Sequence, residues 1–167
     1  MFDFGEGPVP AHQHVNGGGW VAETAQVDPA AYVGLDARVY GHAHVTRQAR
    51  IYENARVSGQ AVVSGRACVY GQAWVSDNAG ISGQAWVCEQ AIVRGGAYVY
   101  GHAGIYGHAQ VFDRARVCDD ARVSGNACVC GNARVCDDVW RGNGGEGVGS
   151  SPGMSLEEEF FSRIGGS

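Results

Sequence analysis

Ala55-Arg56-Val57-Ser58-Gly59-Gln60 is one line of a six-residue phrase that runs from Gly19 to Arg134 without losing its beat. Alanine stands at every sixth position from Ala25 to Ala133, and the residue two further on is always Val or Ile, from Val27 through Ile51, Ile81 and Ile105 to Val135. Side chains alternate across a strand, so the small and the aliphatic residue of each phrase point to the same side, the interior, and their neighbours point out. Pairs such as Gly59-Gln60, Gly101-His102 and Gly125-Asn126 fall where the chain must bend, and Gly, Asn and Asp tolerate the left-handed conformations that corners need. A strand this short buries almost nothing alone. Coils stacked in register close a continuous apolar interior and pair each backbone group with the coil above or below. An amphipathic helix is excluded, because a period of six fits 3.6 residues per turn badly and Gly and Val recur too often for helix interiors. The spacing also excludes a five-residue repeat.

The hexads resemble those of the hexapeptide-repeat family of left-handed parallel β-helices, in which three hexads make one triangular coil. The phrases Gly17-Gly18-Gly19-Trp20-Val21, Asp36-Ala37-Arg38-Val39-Tyr40-Gly41 and Gly125-Asn126-Ala127 are similar to the YdcK-type branch and to short repeat proteins of phage and prophage genomes. The resemblance implies an all-β fold, a single-stranded parallel β-helix of about six to seven coils, roughly 30 Å long at ~4.8 Å per coil. It also implies assembly, with trimers about the prism axis favoured. The organisation expected is an N-terminal lead-in over 1–18, the β-helix over 19–141, a flexible linker over 142–154 and a short amphipathic helix over 155–164. Arg141 would then take a core position at the end of the last coil.

The net charge of −5 gives no basic footprint for nucleic acid. No apolar stretch is long enough for a signal peptide or a membrane span, so no membrane partner and a cytoplasmic setting are expected. Cys68, Cys88, Cys118, Cys128, Cys130 and Cys136 fall on outward positions without zinc-type CxxC pairs, and reduced surface thiols are expected. Cys118 and Cys136, one coil apart, could form a vertical disulfide. His42, His102 and His108 occupy corners and His44 an outward strand position, and His12-Gln13-His14 reads as a solvated lead-in. No catalytic residue, metal or cofactor is expected. Acyltransferases of the resembled family deliver a catalytic histidine from a loop that interrupts the coils, and no such interruption occurs.

Arg38 and Arg56 lie one coil apart, as do Arg116 and Arg134. They are candidates for binding small anions, although pairing with Glu53, Asp113, Asp119, Asp120, Asp137 and Asp138 is the expected use of their charge. Outward positions are polar near both ends and apolar in the middle, where Val62, Trp74, Trp86, Ile92 and Tyr98 form a candidate interface, because contiguous exposed apolar surface marks contact sites. In the tail, Ser155 and Glu158 have capping-box spacing, and Leu156, Phe160 and Ile164 make one stripe with Phe161 beside it, a candidate docking peptide. The expected function is a non-catalytic oligomeric scaffold or binding module with that peptide docking on itself or a protein partner. An acyltransferase-like enzyme with an inter-subunit site and a protein sequestering small anionic ligands between subunits are the alternatives.

Overall fold

A computed structural model describes residues 1–142 and the backbone of residues 147–148. The docking peptide and its helix over 155–164 lie outside the described residues, as does most of the expected linker.

From Trp20 onward the chain makes strands of two to four residues joined by tight corners, and every third strand returns to the same side. Three parallel sheets result, and they are the three sides of a prism of about seven turns. The first sheet begins with Ala11–Gln13 antiparallel to Trp20–Ala22 and runs in parallel through Arg56–Val57, Trp74–Val75, Ile92–Val93 and Cys128–Val129 to Gly147–Val148. The second begins at Gln26–Val27 and ends at Arg134–Cys136, and the third begins at Tyr32–Val33 and ends at Val139–Gly142. Partners are one coil apart in sequence, as in Arg56 opposite Trp74, Val62 opposite Gly80 and Cys68 opposite Trp86. Each coil donates its amides to the next, with Arg56 N to Ala73 O at 2.9 Å and Ser58 N to Val75 O at 2.9 Å. All hexad alanines and aliphatics from Ala31 to Val129 are fully buried. Each buried Val or Ile contributes about 1.5–3 kcal/mol, and the alanines between them keep the interior narrow enough to close.

The corners hold a device that the Gly-rich pattern only hints at. Glu53, Asp77, Glu89 and Asp113 adopt left-handed conformations with φ between 56° and 61°. Such a conformation costs a residue with a side chain about 1–2 kcal/mol. Each carboxylate accepts the amide of the glycine one coil later: Gly71 on Glu53 at 2.8 Å, Gly95 on Asp77 at 3.0 Å, Gly107 on Glu89 at 2.7 Å and Gly131 on Asp113 at 3.0 Å. Bonds from a charged group contribute about 1.5–3 kcal/mol, toward the lower end at exposed corners, which offsets the conformational cost. Glu53 and Asp113 are therefore engaged with backbone, where the sequence suggested arginine partners.

Both ends differ from expectation. The first residues form a strap and not a solvated lead-in. Ala11–Gln13 pairs antiparallel with Trp20–Ala22, and Phe2–Asp3 pairs with Pro8–Val9. His14 is buried, its Nδ1 accepting the Asn16 amide at 3.2 Å and its Nε2 donating to the Asp28 carbonyl at 3.1 Å. The strap covers the first edge of the sheet that begins at Trp20–Ala22, an edge that would otherwise invite pairing with another chain, while the hairpin lays Phe2 and Phe4 on Trp20 and Tyr40.

At the other end Arg122 pairs with Val139 and Val123 with Trp140, one residue short of the full coil. The slip places Trp140 against the core and leaves Arg141 exposed, so Arg141 does not take a core position. Within the stretch expected as linker, Gly147–Val148 forms a further parallel strand on Cys128–Val129.

Candidate functional site

Function on such a prism rests on the outward residues of its three faces. On the first face Trp20, Arg38, Arg56, Trp74, Ile92 and Gln110 stack in register. Trp74 Nε1 donates to Ser58 Oγ at 3.0 Å, which draws the indole across the face toward the column holding Ser58, Ser76 and Arg94. Trp74 remains 41% exposed, and with Ile92 directly above it forms one side of a groove floored by Ser58 and Ser76 and edged by Arg94 and Gln110. Below this groove the face is covered. Phe2 stacks on Trp20 at 4.5 Å, Phe4 stacks on Tyr40 at 4.9 Å, and the Arg38 guanidinium lies 5.3 Å over the Phe2 ring.

The second face carries His44, Val62, Gly80, Tyr98, Arg116 and Arg134 in register. The Tyr98 ring lies against Gly80, where a Cβ would come within 2.5 Å of it, so Val62 and Tyr98 flank a flat patch. On the third face Trp86 lies over Gly104, stacks on Tyr106 at 5.3 Å and carries the Arg122 guanidinium at 5.4 Å. Trp86 thus uses much of its apolar surface within the chain. The five expected interface residues are spread over all three faces: Trp74 and Ile92 on the first, Val62 and Tyr98 on the second, Trp86 on the third.

Tyr52 and Tyr70 stack at 4.9 Å. The next residue up that column, Cys88, hydrogen-bonds Tyr70, and this bond, with burial second, pushes the Tyr70 hydroxyl well above its ordinary range. Burial likewise pushes up the thiols of Cys68, Cys88 and Cys128. A thiol held protonated is a poor nucleophile. Cys88 and Cys118 are buried and not surface thiols, because the residue after each core aliphatic turns into the shelter of the corner, as Ser58, Ser76 and Ser124 also do. Cys118 and Cys136 form a vertical disulfide with Cα atoms 4.7 Å apart. The Asp119 carboxylate lies beside them, with the three potential ligand atoms within 4.8 Å of one another, but sulfurs joined in a disulfide offer no thiolates to an ion.

Arg38 with Arg56 and Arg116 with Arg134 are direct register partners. The expected arginine–carboxylate pairing does not form: among the described residues the ion pairs are His12 with Glu23 at 3.0 Å and His102 with Asp120 at 3.8 Å. Arg134 Nε instead donates to Cys136 Sγ at 3.2 Å. The histidines are dispersed. His14 is tied into the strap, His44 lies on the second face, and His42, His102 and His108 stand at corners. Sequence reasoning missed Ser58, Ser76 and Arg94 as groove residues; reading the position after each core aliphatic in steps of one coil would have grouped them.

Fold and register together define a parallel β-solenoid repeat protein. A family model described as the YdcK β-solenoid repeat matches residues 49–65 and 115–130, two stretches of the hexad run. No curated protein and no solved structure matches it. Among the described residues, no helix is long and apolar enough to cross a membrane.

Proposed function

We propose that this solenoid is a non-catalytic scaffold or binding module, left-handed as the family resemblance implies, that assembles with further copies of itself and carries a C-terminal docking peptide. The observation that supports it is the exposure of Val62, Trp74 and Tyr98, at 40%, 41% and 51%, in coils whose interior is already filled. These side chains add nothing to the core and keep apolar surface in water, at about 25 cal/mol per Å². Contact between copies is centred on the second face, where Val62 and Tyr98 frame the flat patch over Gly80. A trimer is the favoured assembly.

A second reading draws on the Arg116–Arg134 pair. Two stacked cations with no carboxylate partner among the described residues repel each other, and a small anion held between subunits would neutralise them. Assembly is tested by light scattering on the full chain and on a Val62→Glu, Tyr98→Glu variant. The reading predicts a wild-type mass that is a multiple of 17.5 kDa and a folded, monomeric variant. A wild type at 17.5 kDa at every concentration overturns it.

A further inference from the structure

We infer that the C-terminal peptide, residues 155–164, docks on the first face of its own prism, in the groove beside Trp74 and Ile92. The inference rests on the docking peptide of the proposed function and names its destination. Its first support is where the chain leaves the described structure. Gly147–Val148 is a strand of the first sheet, so the chain is last seen on the same side as the groove. Between it and Trp74–Val75 stand the strands Cys128–Val129, Gln110–Val111 and Ile92–Val93. These make four strand spacings, about 19 Å at ~4.8 Å each. Residues 149–155 can span about 23 Å when extended. Leu156 therefore reaches the groove without the chain crossing a corner.

Chemical complementarity is the second support. The peptide carries an apolar stripe, Leu156, Phe160, Phe161 and Ile164, able to lie on apolar rings. The groove offers the apolar Trp74 and Ile92, with Arg94 at its edge in no ion pair among the described residues and with Glu6 and Asp77 on its lining, the Asp77 carboxylate accepting the Gly95 amide. Arg94 lies 4.8 Å over the Phe112 ring, which holds its guanidinium at the groove edge. The third support is the opposite end of the same chain, which already uses this mode. Phe2 and Phe4 stack on first-face aromatics with Arg38 over the Phe2 ring, and that layer stops where the groove begins. Phe160 and Phe161 against Trp74 continue it.

The test is a photo-crosslinking map on the full chain with Phe160→benzoylphenylalanine, repeated with Phe161→benzoylphenylalanine, using a mixture of isotopically heavy and light protein. The expected result is crosslinks to first-face residues between Arg56 and Arg94, joining peptides of the same isotope. Crosslinks to the second or third face, to the Trp140 end, or between heavy and light chains overturn the inference, as does an irradiated sample without crosslinks. The mass measured by light scattering separates the two ideas. First-face crosslinks in a monomer refute assembly and keep the docking, whereas an assembly with crosslinks elsewhere does the reverse.

Discussion

Glu89 is the corner residue at which two opposing effects can be measured apart. Its left-handed φ of 60° costs about 1–2 kcal/mol for any residue with a Cβ, while its carboxylate accepts the Gly107 amide at 2.7 Å. Glu89→Ala keeps the cost and loses the bond; Glu89→Gly loses both. Thermal unfolding should therefore show Glu89→Ala destabilised by about 1–3 kcal/mol and Glu89→Gly by distinctly less. Equal losses for the two would mean that the left-handed conformation costs nothing, and an undiminished stability of Glu89→Ala would mean that the carboxylate bond contributes nothing. The corner acids were visible as letters, but their partner was not, because opposite charges in a sequence suggest each other more readily than a carboxylate suggests a backbone amide one coil away.

At the scale of the strand, the outward residues act in vertical neighbours. Trp86 and Tyr98 lie flat because the residue beside each, Gly104 and Gly80, has no side chain to hold the ring away. Gly104→Ala should lift Trp86 off its face, weakening its stacking on Tyr106 and shifting the aromatic circular dichroism, at a cost of about 1–3 kcal/mol. An unchanged near-ultraviolet spectrum and melting point would contradict that packing. The hexad register, the buried Ala and Val/Ile columns and the vertical Trp74–Ile92 contact were all legible in the sequence, since each follows from a strict period. The strap was not: Phe2, Phe4 and His14 belong to no repeat, and their places are set by what they touch, Trp20, Tyr40 and the Asp28 carbonyl. The groove was half legible, through Trp74 and Ile92, while Ser58 and Arg94 looked like ordinary polar surface.

Over the whole molecule, one constant register decides which side chains share a face, and therefore what each face can bind. It holds from Trp20 to Val135 and then shortens by one residue, because Asp137-Asp138-Val139-Trp140 lacks the alanine that the same point holds one coil earlier in Asp119-Asp120-Ala121-Arg122-Val123. Counting onward from Val123 by a full coil led to Arg141; the fold places Trp140 there, an apolar closure for the last turn. Disulfide trapping in a background with the native cysteines replaced by serine tests this register most directly. Arg122→Cys with Val139→Cys should oxidise readily, as the register pair Cys118–Cys136 does, and Arg122→Cys with Trp140→Cys should not. Ready oxidation of the second pair with failure of the first would contradict the register on which every face described above depends.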